Sequence, residues 1–232
     1  MSKGGIPGLG ILAVPFVAMV IPGKASTGLV LPMLVVGDMF ALLIWRKSVS
    51  VPDLLRALPW ALLGVLAGWR LLGKIPDAYM SQVIATTVLL ILVIQVWRKF
   101  LSSSKENTEG RNSIGKHIFP AFMGSLGGIT TMLANAAGPV IGVYLLSLRL
   151  DKARFLGTSA WFFFIVNWIK VPFMVEQNMI TRESLSTNLV MVPALLCGVG
   201  MGVLIARRMK QRTFEIAVIV LASAACLKLF FS

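Results

Sequence analysis

Apolar residues fall in long runs along this chain, at 6–20, 26–45, 54–72, 78–97, 118–148, 153–175, 185–206 and 213–231, with polar residues gathered between them. Most runs have roughly the 17–25 residues that a helix needs to cross the hydrocarbon layer of a bilayer. A backbone exposed to lipid must satisfy its own hydrogen bonds, so each run is predicted to be helical. Turn residues mark the connections: Pro22-Gly23-Lys24, Val51-Pro52-Asp53 and Gly73-Lys74-Ile75-Pro76-Asp77. The longest polar stretch, 98–117, holds Ser102-Ser103-Ser104 with Lys105, Glu106, Glu109 and Arg111, and reads as a linker.

The apolar pattern also repeats. Pro59, Gly64 and Gly68 follow the same Pro-x4-Gly-x3-Gly spacing as Pro193, Gly198 and Gly202. Upstream, Ser2-Lys3-Gly4-Gly5-Ile6 answers to Ser125-Leu126-Gly127-Gly128-Ile129, and Gly28 with Asp38 answers to Gly157 with Asn167. Two homologous units in an apolar chain are the signature of a secondary transporter whose site lies between them. The organisation expected is a first repeat over 1–97, a linker over 98–117 and a second repeat over 118–232.

The run 118–148 is too long for one simple span and is expected to break at Gly127-Gly128 and again at Gly138-Pro139. The first repeat has the same paired glycines but lacks the half-helix that 118–124 supplies, so its opening is expected to be truncated. A cleaved leader over 1–26 is the competing reading, but a leader has no reason to mirror an internal helix. If the first element of each repeat crosses fully, the 22 Lys and Arg divide almost evenly between the two sides. If it dips in and returns, most of them gather on one side, as cytoplasmic loops require. Three crossings per repeat then invert one half relative to the other. The expectation is therefore an all-α integral membrane protein of two inverted repeats, with about seven to eight membrane segments and a broken or re-entrant first helix in each.

Composition narrows the classes. Of 232 residues, 57% are hydrophobic and 13% charged, with mean hydropathy +0.85, too few charges to cover a soluble surface. A net charge of +13 would suit nucleic acid, but the basic residues sit at the ends of apolar runs, so nucleic acid is excluded as a partner. Cys197 and Cys226 lie in apolar runs and His117 is the single histidine, which leaves no metal or haem motif and no cofactor expected. Hydrolase, metalloprotease, Walker and dinucleotide motifs are missing, so no enzyme activity is expected. Without a nucleotide site, transport would draw on an ion gradient or run downhill.

Candidate chemistry lies in the few polar residues inside apolar runs. Asp38 is the acidic residue deepest in such a run, and a carboxylate there should face the protein interior. It reads either as a proton-coupling group or as a hydrogen-bonded part of a polar core. Asn167 and Lys170 share one helix face three residues apart. Lys170 could pair with Asp38 or attract an anion, but snorkelling to the interface near Pro172 is the favoured reading. Substrate contact is expected at the two Gly-Gly breaks, where an unwound backbone would offer N–H groups to an anion. That set is Lys3, Gly4, Gly5, Ser125, Gly127, Gly128, Thr131 and Asn135. The competing reading is that such glycines only let helices pack closely, which is favoured for Gly64, Gly68, Gly198 and Gly202.

These residues resemble the TauE/SafE sulfite exporter family of membrane transporters. The marks are Gly4-Gly5-Ile6-Pro7-Gly8-Leu9-Gly10 followed by Val14-Pro15, the Pro22-Gly23-Lys24-Ala25-Ser26 turn into Thr27-Gly28, and the Pro-x4-Gly-x3-Gly helix ending near Leu72-Gly73-Lys74-Ile75-Pro76. The resemblance implies a multi-pass protein of the bacterial inner membrane that exports sulfite, thiosulfate, a sulfonate or another small organic anion. Its expected partners are that anion and the lipid bilayer, with a homodimer allowed. The alternatives are a membrane receptor or scaffold that binds anions without transporting them and, third, an intramembrane enzyme.

Overall fold

A computed structural model of the chain describes residues 17–21, 23–101, 115–190 and 220, and the described residues form helices and turns with no strand. The helices are α1 (Lys24–Trp45), α2 (Val51–Lys74), α3 (Met80–Leu101), α4 (Gly115–Ala134), α5 (Ala137–Ser147) and α6 (Lys152–Glu176). A 3-10 turn at Asp77–Tyr79 precedes α3, and 182–190 is again helical. Among the described residues, three stretches are long and apolar enough to cross a membrane: Lys24–Trp45, Val51–Lys74 and Ala153–Glu176.

Local chemistry sets the helix ends. Gly23 takes a φ of 77°, and with no side chain there the Asp77 carboxylate reaches in to accept the Lys24 N–H at 2.8 Å. That carboxylate stands where the first turn of α1 leaves unpaired donors and a partial positive charge. At the start of α2, Asp53 accepts from the Ser50 hydroxyl at 2.6 Å and from Arg56 at 2.9 Å. Asp151 caps α6 by accepting the Arg154 N–H at 2.9 Å. The far end of α6 closes with Asn178 at φ 55° and the Met179 N–H bonded to the Met174 carbonyl at 2.9 Å, a left-handed C-terminal cap.

The helix containing Gly127 and Gly128 is unbroken there, contrary to the sequence expectation. Thr130 donates its hydroxyl back to the Leu126 carbonyl at 2.8 Å, and the glycines serve close packing instead. A Cβ on Gly128 would overlap the Ala61 carbonyl of α2 and stand 2.8 Å from the Val65 nitrogen. One on Gly124 would lie 2.5 Å from the Ala57 carbonyl, and one on Gly68 would lie 2.8 Å from the Met132 Cβ. Small residues on both helices thus bring α2 and α4 to near-backbone contact, the arrangement favoured for helices in lipid. Gly64 and Gly68 have the packing role expected of them. Gly198, Gly202 and both cysteines lie outside the described residues.

The interruption comes at Asn135-Ala136. Asn135 adopts φ 50°, a left-handed conformation that asparagine tolerates better than most residues. Gly138 and Pro139 lie just beyond, in the first turn of α5, where a proline's missing N–H costs nothing. The chain then doubles back. Gly127 faces Ile141, and the Phe119 and Tyr144 rings stand 6.4 Å apart, so α4 and α5 form an antiparallel hairpin. Tyr144 anchors its open end by donating to the Asp53 carbonyl at 2.8 Å.

Helices α1 and α6 pack antiparallel. A Cβ on Gly28, near the start of α1, would lie 2.6 Å from the Met179 carbonyl carbon just past α6. One on Gly157, near the start of α6, would lie 2.6 Å from the Ser48 carbonyl carbon just past α1. Ser50 N–H donates to the Thr158 hydroxyl at 2.8 Å, and Trp161 Nε1 donates to the Arg46 carbonyl at 3.2 Å, which fixes the same crossing. Large apolar residues such as Phe40, Leu43, Ile44, Leu55, Leu63 and Phe122 cover the outside. Such a surface suits lipid, not water.

Candidate functional site

Two charged side chains are buried among the described residues, Asp38 of α1 and Lys170 of α6, each with no accessible surface. Snorkelling of Lys170 to the interface is therefore overturned. The residue stands about 9 Å before the end of α6 by helical rise, and its ammonium turns inward. It donates to the Thr131 hydroxyl at 3.1 Å, to Asn135 Oδ1 and, at 3.5 Å, to Asn167 Oδ1. The amide of Asn167 also donates from Nδ2 to Asp38 Oδ2 at 2.7 Å. A carboxylate only accepts and an ammonium only donates, which fixes the orientation of the amide between them. Asn167 thus bridges cation and carboxylate.

The hairpin tip holds the other side of the cluster. Asn135 Nδ2 donates to the Thr27 carbonyl at 2.9 Å while its Oδ1 accepts from Lys170. The Thr27 hydroxyl returns to the Leu133 carbonyl at 3.4 Å. Hairpin and α1 therefore clasp each other beside the ammonium. The N-terminus of α5 starts at the same tip with no side-chain cap, so the positive end of its dipole adds to the Lys170 charge.

The fold brings together five residues singled out in the sequence: Asp38, Thr131, Asn135, Asn167 and Lys170. It joins two sets that sequence reading kept apart, the substrate residues and the polar core. Ser125, Gly127 and Gly128 are not among them. They sit earlier on α4, Ser125 with its backbone against Gly64, Gly128 against α2 and Gly127 against α5. Lys3, Gly4 and Gly5 lie outside the described residues. Sequence reading passed over Thr27 as a site residue, although a buried threonine in an apolar helix near a Gly-rich turn is a signal that could have flagged it.

Burying an ammonium costs several kcal/mol unless hydrogen bonds and opposite charge offset it. Charged residues kept inside membrane segments at that cost mark ion or substrate pathways. What the cluster offers chemically is a cation with three donors, ringed by hydroxyl and amide groups and set at a break in the helix. That donor set suits an oxyanion. Among the described residues no group of His, Cys, Asp and Glu could hold a metal ion.

A family model described as sulfite exporter TauE/SafE matches residues 2–229 of the 232. No curated protein and no solved structure matches the chain significantly.

Proposed function

Because the chain belongs to the sulfite exporter TauE/SafE family, we propose that it is a secondary carrier exporting sulfite or another small sulfur-containing or organic anion across the bacterial inner membrane. The observation that carries this reading is the buried Lys170 ammonium at the hairpin tip, held by Thr131 and Asn135. In a low-dielectric interior an ammonium attracts an anion far more strongly than in water. An incoming oxyanion exchanges neutral oxygens of the site for charged ones, and Asn135, Thr131 and the α5 N-terminus supply its remaining contacts. Ser125, Gly127 and Gly128 act by setting the position of α4.

Two features support inverted repeats. The same sequence interval separates Gly28 from Gly157 and Asp38 from Asn167. Asp38 is bonded to its own counterpart across antiparallel α1 and α6, and the two glycines pack at opposite ends of that crossing, as happens about a pseudo-two-fold axis. Transport would then proceed by rocking one repeat against the other around this cluster. The hairpin supports a re-entrant first element in the second repeat, since both of its ends lie toward the loops carrying Arg46, Lys47 and Arg149. By the positive-inside rule that end faces the cytoplasm.

The test is counterflow in proteoliposomes. A carrier preloaded with unlabelled sulfite accumulates labelled sulfite with saturable kinetics. A receptor or scaffold binds the anion and gives no flux, and that result would refute the reading.

A further inference from the structure

We propose that the indole of Trp69 is a second anion-binding group, whose N–H donates to an oxygen of the substrate held at Lys170. The proposal rests on the carrier reading and adds a contact from α2, a helix that contributes nothing to the polar cluster described above. A buried donor without an acceptor carries it. Trp69 Nε1 is shut off from the surface and makes no hydrogen bond to the described residues. A buried indole ordinarily finds a partner, because taking its N–H out of water without one costs free energy. An indole N–H can only donate, so whatever satisfies it must be an acceptor.

Helix register places this donor beside the cluster. Helices α2, α4 and α6 run parallel, with α2 packed against both of the others. A Cβ on Gly68 would lie 2.8 Å from the Met132 Cβ of α4, and one on Gly73 would lie 3.1 Å from Gln177 Nε2 at the end of α6. Between these two contacts the Trp69 ring packs on Phe173 of α6, with centroids 5.3 Å apart and planes at 44°. Met132 directly follows Thr131, and Phe173 lies three residues beyond Lys170, about 4.5 Å along the helix axis. Thr131 and Lys170 are bonded to each other at 3.1 Å. The indole therefore reaches α6 close to the level where the ammonium reaches α4, within one three-helix junction.

Two ordinary roles for a tryptophan fit less well. A belt residue at the membrane surface sets its N–H among the headgroups, which the burial of Nε1 prevents. An aromatic that only fills space would be served by phenylalanine, with no orphan donor to explain.

An oxyanion in the junction answers the donor. Lys170 and Trp69 both only donate, so the anion turns one bare oxygen to each. Sulfite and sulfonates suit this arrangement, because their oxygens diverge from a single sulfur. The Trp69 and Phe173 rings give the α2 side of the junction an apolar surface, and in such surroundings a hydrogen bond to a charged oxygen is strengthened.

The experiment titrates the purified full-length protein with sulfite in detergent, by calorimetry and, with isotope-labelled tryptophan incorporated, by the NMR signals of the indole N–H groups. Trp69→Phe keeps an aromatic ring beside Phe173 and removes the donor. We expect its affinity for sulfite to fall by roughly tenfold or more, as the loss of a hydrogen bond to a charged acceptor does. In wild type the Trp69 indole proton, identified by its loss in the variant, should move downfield along the same saturation curve that calorimetry gives. Equal affinity in the variant, or a Trp69 signal that sulfite does not move, would overturn the contact and leave the carrier reading intact. Failure of the wild type to bind sulfite would remove the carrier reading and the contact with it. If Trp69→Phe does not fold, single substitutions of the other tryptophans identify the Trp69 signal by elimination, and its movement decides.

Discussion

Replacing Gly128 with alanine adds one methyl group at the tightest point between α2 and α4. The new carbon would overlap the Ala61 carbonyl oxygen and stand 2.8 Å from the Val65 nitrogen and 2.9 Å from the Gly64 carbonyl carbon. Ordinary contact begins at 3.4 Å. All three obstacles are backbone atoms, so no rotamer change relieves them and the helices must move apart. Overpacking of this kind costs about 1–3 kcal/mol, and backbone obstacles put this site toward the upper end. Alanine's better helix propensity returns roughly 1 kcal/mol. The net expectation is a loss of about 1–2 kcal/mol, which lowers the melting temperature by about 2–8 °C in a protein of this size. Gly37→Ala and Gly142→Ala are the controls, because nothing lies within 4 Å of a Cβ at either position. There the propensity gain acts alone and the protein should melt at or slightly above the wild-type temperature. Thermal unfolding in detergent, followed by tryptophan fluorescence, reads all three. The packing argument fails if Gly128→Ala is as stable as the wild type, or if the controls lose as much as it does.

Other perturbations separate shape from chemistry. Asn135→Gly keeps the left-handed turn but removes the acceptor for Lys170 and the donor to the Thr27 carbonyl, so stability should fall by about 1–3 kcal/mol while anion affinity falls at least tenfold by calorimetry. Asn135→Ala must also place a side chain at φ 50° and should lose a further 1–2 kcal/mol or so in thermal unfolding. Asp77→Ala removes the acceptor at the start of α1 and should cost about 1 kcal/mol in the same assay, with flux per folded molecule unchanged. Tyr144→Phe leaves the Asp53 carbonyl without its phenolic donor and should lower stability by about 1 kcal/mol, again without changing the anion dissociation constant.

Apolar run length made the helices legible. The runs at 26–45, 54–72 and 153–175 became α1, α2 and α6 with ends shifted by a few residues, because caps such as Asp77 and Asp151 set the boundaries, not hydropathy. The doubling back of 118–148 was legible too, but its turn was misplaced. Paired glycines look like a break on paper. In α4 they are held helical because α2 lies against them, a contact between residues more than sixty positions apart that no local pattern reveals. The true turn falls on Asn135, whose tolerance of positive φ was the available clue. Asp38, Asn167 and Lys170 stood out because polar residues inside apolar runs need a reason to be there. Their union with Thr131, Asn135 and Thr27 was not legible, since it depends on how the hairpin tip meets α1 and α6.

The central claim is that Lys170 holds the transported anion, and counterflow of labelled sulfite by wild type and Lys170→Gln tests it most directly. Glutamine keeps an amide donor for Thr131 and Asn135 but removes the charge. A charged hydrogen bond is worth about 1.5–3 kcal/mol, which corresponds to a roughly ten- to hundredfold loss of flux at subsaturating sulfite. Wild-type proteoliposomes should show saturable exchange, and the variant, reconstituted at equal density with an unaltered gel-filtration profile, should show at most a tenth of it. Equal flux from the two proteins would contradict the account.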